Sequence, residues 1–225
     1  MDTLFLALLP AQAQIESVFD MVLAGGPLMI PIALCSVVAL SYAVERSVRL
    51  REGELGSKRY GTRIVESLAS EGPGGALSIC DKDSRPLGRI LAAGIRRSDG
   101  PFLEMEKAVE DAGKREVKRL NANLRPLVVV GMIAPLLGLL GTVWGMIESF
   151  SSIALQDGLG KPELLAAGIS QALITTAAGL SVAIPTQAAY FWFRGRIDRF
   201  VRRTEDAYLE LFEGLRSKKT EAVVA

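Results

Sequence analysis

Residues 126–150 read PLVVVGMIAPLLGLLGTVWGMIESF, and positions 126–147 hold no Asp, Glu, Lys or Arg. A helix needs roughly 20 such residues to cross about 30 Å of hydrocarbon, so the stretch predicts a membrane span. Within it Gly131, Pro135, Gly138, Thr142 and Gly145 recur at steps of four, three, four and three, which is one narrow helical face. Small residues at that spacing let a second helix approach closely, and in lipid such packing contact replaces the missing hydrophobic drive. Gly141 and Gly145 add a GxxxG pair beside the stripe. Pro135 removes one internal hydrogen bond and shapes the helix, a loss that membrane bundles tolerate.

Outward from this stretch lie two more charge-free runs, residues 21–44 and 164–193. The three runs make up about a third of the 225 residues, so dividing length by soluble-domain size gives the wrong organisation. Charge sets the expected topology. Residues 1–44 contain no Lys or Arg, whereas Arg46, Arg49 and Arg51 follow the first run at once. Residues 45–125 carry 17 basic and 13 acidic side chains, the connection 148–163 has Lys161 as its one basic residue, and five arginines crowd Arg194 to Arg203. Basic flanks stay on the cytoplasmic side. The expected fold is therefore all-α: a three-span helical membrane protein with long helices extending into the cytoplasm, N-terminus periplasmic and C-terminus cytoplasmic.

The expected segments are 1–20, periplasmic or interfacial; 21–44, first span; 45–125, cytoplasmic helical insert; 126–147, second span; 148–163, periplasmic hairpin; 164–193, third span; and 194–225, cytoplasmic helical tail. The opening MDTLFLALLPAQAQ imitates a signal peptide, but Asp2 stands where positive charge belongs and Pro10 cuts the apolar stretch short. A short interfacial helix is the better reading of it. In the insert, YGTRIVESLAS and SRPLGRILAAGIRRS show helical spacing on either side of EGPGG, and from Pro101 a third helical pattern runs on towards Pro126. The tail extends the third helix beyond the bilayer.

Composition excludes several kinds of chemistry. There is no histidine, and Cys35 and Cys80 read as small apolar side chains, so zinc sites, histidine acid–base catalysis and a Cys–His pair are excluded within this chain. A net charge of +1 offers no field for nucleic acid. No phosphate-binding loop, cofactor site or enzymatic activity is expected. The third run carries Ser170, Gln171, Thr175, Thr176, Ser181, Thr186 and Gln187. At 100° per residue Thr176 and Gln187 share one stripe, and Gln171 and Thr175 share another about 140° away. These side chains could line a water path, or simply bond to helix carbonyls and neighbouring helices. With no Asp, Glu, Lys or Arg in the second and third runs, this chain cannot relay protons alone through a midplane carboxylate; in a proton machine a partner helix must bring the titrating group.

The stretches APLLGLLGTVWGMIESF, 134–150, and AGISQALITTAAGLSVAIP, 167–185, resemble the ExbB/TolQ/MotA proton-channel family, with the ExbB/TolQ branch the nearer likeness. The resemblance covers essentially the whole chain. It implies an inner-membrane, multi-pass protein of a Gram-negative bacterium, forming a homo-oligomer, pentameric in the best-described cases. It also implies two copies of an ExbD/TolR-like single-span protein with an intramembrane Asp, and a TonB-like or TolA-like energy transducer. By matching positions, Thr142 and Thr176 stand where family threonines face the channel, and Pro135 and Pro185 where its span prolines lie. Gln171 departs: the family carries Glu at this place, and the amide keeps hydrogen bonding but loses titration. The implied function is a proton-channel and motor subunit that harnesses the proton-motive force for outer-membrane transport or envelope processes. A non-conducting scaffold is the alternative from another class. A flagellar-stator-like subunit is a narrower one, set back by the three spans where that branch usually has four.

Overall fold

The computed structural model describes residues 25–83, 85–155 and 162–224. The opening segment 1–20, with its expected interfacial helix, lies outside the described residues, as do positions 156–161 of the 148–163 connection. Every regular element described is a helix: α1 Met29–Arg49, α2 Glu52–Leu55, α3 Lys58–Lys82, α4 Pro86–Ile95, α5 Phe102–Ala122, α6 Arg125–Leu155 and α7 Pro162–Val224. Three helical stretches are long and apolar enough to cross a membrane: Met29–Arg49, Phe102–Ala154 and Leu165–Arg216. The fold is all-α with three candidate spans.

The chain divides into two units, one formed by the described residues up to Leu40 with Val128–Gln187, the other by Ser41–Leu127 with Ala188–Ala225. In the first unit, Met29 and Ile32 of α1 pack with Ala178 of α7, and Leu137 of α6 and Val182 of α7 close over them. All three spans therefore share one small core. Large apolar side chains elsewhere face outward, Leu34 at 65% exposure and Leu136 at 61% among them. Water would not tolerate such a surface, but lipid or neighbouring helices would.

The second unit is built on short-range signals. Ser57 caps α3, its hydroxyl accepting from the Tyr60 amide at 3.3 Å. Pro86 opens α4, where its missing N–H costs nothing. Leu87, Ile90, Leu91 and Ile95 of α4 are buried, together with Ile64 and Leu68 of α3 and Met105 of α5. Gly61 admits Ala207 of α7, whose Cβ would lie 3.3 Å from an added methyl. A fork from Arg89 to Glu116, at 2.8 and 2.7 Å, ties α4 to α5.

Three details differ from the expected pattern. EGPGG does end one helix, at Gly72, whose φ of 78° and ψ of −170° lie outside the helical region, but a further helical leg follows it within α3 before α4 begins. Pro73 then restarts it, since a proline is accepted in a first turn. Residues 101–126 do not pass unbroken into the second span either; a turn at Asn123 and Leu124 divides α5 from α6. Leu124 is buried there, so apolar packing holds the turn without Gly or Pro. Finally, α6 continues beyond Ile147 to Leu155, because ESFSSIAL contains no breaker.

Candidate functional site

The face predicted on α6 meets α7 along an antiparallel line. A methyl added at Gly131 would lie 2.8 Å from Cδ of Gln187; at Gly138 it would lie 3.0 Å from Cα of Thr176; at Gly145, 3.1 Å from the Gly168 carbonyl. At Gly141 it would strike the Thr175 side chain, with Cβ at 2.7 Å. Real Cβ atoms essentially never come nearer than 3.0 Å, so Gly131 and Gly141 have no room for a side chain without rearrangement. The approach is mutual. A methyl on Gly179 of α7 would meet the Ala134 carbonyl and the Gly138 Cα, and one on Gly168 would strike Ser149 Oγ.

Thr176 sits on this line, and its hydroxyl donates to the Gly138 carbonyl at 2.9 Å. Thr142, one turn along α6 from Gly138, donates to the Leu139 carbonyl of its own helix at 2.6 Å. Both protons are directed at carbonyls, so what each oxygen has left to offer is lone pairs that accept hydrogen bonds. Gln171 lies on a different face, where its side-chain amide packs on Gly26, the positive-φ residue (φ 73°) that opens the turn into α1. Pro135 and Pro185 each sit inside a helix that continues past them.

Thr175 had been placed on the Gln171 stripe without a role of its own. It is buried, donates to the Gly25 carbonyl at 3.0 Å and to the Gln171 carbonyl at 2.8 Å, and stands against Gly141. One threonine thus joins α6, α7 and the turn that leads into α1. The available signal was the reach of small residues along α7 through Gly168, Ala172, Thr175 and Gly179, which mirrors the α6 stripe. Among the described residues no group of three His, Cys, Asp or Glu side chains is gathered as a metal site.

Three close-packed helices, two of them with runs of 22 and 30 residues free of Asp, Glu, Lys and Arg, define a helical membrane bundle. Residues 82–206, more than half of the chain, match the MotA/TolQ/ExbB proton channel family. The chain is 30% identical over 168 residues to the biopolymer transport protein ExbB-like 3 of Synechocystis sp., covering 73% of this chain and 79% of that one. It is 32% identical over 191 residues to the same organism's ExbB-like 1, covering 80% and 73%. To the Tol-Pal system protein TolQ of Pseudomonas aeruginosa it is 40% identical over 105 residues, 47% of this chain and 45% of that one. This chain belongs to the ExbB/TolQ/MotA proton-channel family, on its ExbB/TolQ side. It is a non-enzymatic, multi-pass inner-membrane protein with the channel and motor role of that family.

Proposed function

We propose that the chain is the ring-forming subunit of an ExbB–ExbD- or TolQ–TolR-type complex, N-terminus periplasmic and C-terminus cytoplasmic, passing protons along an α6/α7 face that carries Thr142 and Thr176. The observation that carries this reading is the Thr176–Gly138 hydrogen bond, set within spans that have no charge of their own. A proton crossing here needs a carrier from outside the chain, and a single-span partner with a membrane Asp supplies it. The chemistry of the threonines fits a neutral, protonated carboxyl, because their oxygens are free to accept while their protons are committed to carbonyls. Once ionised, the carboxylate finds no donor in these two hydroxyls as they stand, so the site favours the acid that carries the proton. Each charge moved yields about 2.3 kcal/mol per 100 mV, enough to drive relative motion without nucleotide hydrolysis.

Gln171 belongs to this proposal as a residue that holds the start of α1 beside the channel wall, through Gly26 and the adjoining Thr175. Small residues at 131, 138, 141 and 145, with Pro135 and Pro185, set the separation and shape of the two lining helices. The test is proton flux into proteoliposomes holding the chain and its single-span partner. Flux should need the partner and should fall at least tenfold in Thr142→Val/Thr176→Val. Unchanged flux in that variant, with the complex intact, would sink the reading and leave a non-conducting scaffold.

A further inference from the structure

The end of the third apolar run carries Tyr190, Phe191, Trp192 and Phe193, and Arg194 follows directly. Aromatic rings before a basic stretch mark the level of lipid headgroups. Phe191 is 63% and Trp192 50% exposed. The Arg196 guanidinium lies 4.1 Å over the Trp192 ring, and its Nη1 donates to the Leu50 carbonyl at 3.4 Å, just past the end of α1. That contact brings the basic end of α1 beside the basic stretch of α7. At the α1 end, Glu45 answers both Arg46 Nη2, at 2.8 Å, and Arg49 Nε, at 3.1 Å, while the Nε of buried Arg46 has no acceptor among the described residues.

The α7 side is less balanced: from Arg194 to Arg203 five arginines stand against one acid, Asp198. Arg194 and Arg199 are exposed, and their hydrogen bonds run to neutral oxygens, the Tyr190 hydroxyl and the Gly195 carbonyl, each at 3.3 Å. Among the described residues neither charge is paired with an acid. We infer that this collar gathers anionic phospholipids by their phosphodiester headgroups, at Arg199 below Trp192 and at Arg194 below Phe191, with the acyl chains along those exposed rings. Guanidinium forks suit phosphate oxygens, and the rings above them suit the chains.

The protein's two tryptophans make a direct test possible, since Trp144→Phe leaves Trp192 as the sole reporter. The full-length variant is reconstituted with phosphatidylcholine containing lipids brominated on the acyl chain, either phosphatidylglycerol or phosphatidylcholine. Brominated phosphatidylglycerol should quench Trp192 at roughly fivefold lower mole fraction. The preference should vanish in Arg194→Gln/Arg199→Gln, which spares the Arg196 contact, and persist in the distant Arg97→Gln. Equal quenching by the two lipids overturns the inference, as does a preference that survives the double substitution. Loss of the preference on adding inorganic phosphate at constant ionic strength also overturns it, by assigning the collar to a free anion.

Discussion

The Thr176 hydroxyl donates across to the Gly138 carbonyl at 2.9 Å, and that carbonyl belongs to a residue whose missing side chain leaves the space. Packing and hydrogen bonding at this point are one feature. Thr176→Val keeps the shape and removes the donor. Interhelical bonds in membranes average about 0.6 kcal/mol, so unfolding in mixed micelles should shift by about that amount. Proton flux with the partner should fall far more than stability does, and Thr176→Ser should restore it. Equal flux in the Val and Ser variants would show that the hydroxyl serves packing alone.

Glycines at different places should respond in opposite directions to a methyl. Gly141→Ala drives Cβ into Thr175, and overpacking of this kind costs roughly 1–3 kcal/mol. Gly113, within α5, has nothing within 4 Å of an added Cβ, so Gly113→Ala should stabilise by about 0.5–1 kcal/mol through helix propensity. Thermal unfolding of the two variants in one detergent checks both signs.

Much of this was legible because hydrocarbon imposes simple rules: a charge-free run of sufficient length must be a helix, and a stripe at steps of three and four must be a face. The second span and its glycines followed from that. Which side chains those glycines would meet did not follow, because contacts between distant segments leave no periodic trace. Thr175 illustrates the limit: its own helix gives its stripe, but only the position of Gly25 ties it to the turn before α1. The kink at Gly72 falls where EGPGG marks it, whereas the turn at Asn123 and Leu124 carries no Gly or Pro to announce it.

The Arg89–Glu116 fork joins α4 to α5 with two bonds, and Glu116 raises the proton affinity of Arg89 mainly by accepting that hydrogen bond. Glu116→Gln keeps the shape but gives up the charge and one acceptor. With Arg89 37% exposed, solvent screening limits the expected loss to about 1 kcal/mol. Glu110 and Lys114 pair on the open surface of α5, and Glu110→Gln should leave unfolding unchanged. Limited proteolysis of the insert in the two variants separates the cases.

Burial pushes the Tyr60 hydroxyl from 10.0 up to about 12, helped by the neighbouring Cys80 and Asp83, and pushes the Cys80 thiol from 9.0 up to about 11. For both, the folded state favours the neutral form. Their stabilisation is complete below the ordinary values and is lost as pH rises through about 9–11 for Cys80 and 10–12 for Tyr60. The melting temperature should hold to about pH 8.5 and then decline. The buried Tyr60 hydroxyl has no hydrogen-bond partner among the described residues, so Tyr60→Phe should match or exceed the native melting temperature at pH 7.5 and flatten the alkaline decline. A steeper decline in that variant would contradict the assignment.

Gln171→Glu asks whether the departure from the family's Glu alters conduction. The native amide packs on Gly26, one residue from the carbonyl that Thr175 engages, so a carboxyl of the same shape fits without repacking. It also places a carboxyl in a run that has no acidic or basic side chain. The pH profile of flux in the variant complex should differ from that of the native complex, with Gln171→Leu lowering flux at every pH by loosening the start of α1. Coincident pH profiles for the native and Glu forms would show that this position neither lies on the proton path nor acts on it through Thr175, and the role of Gln171 would then be confined to holding α1.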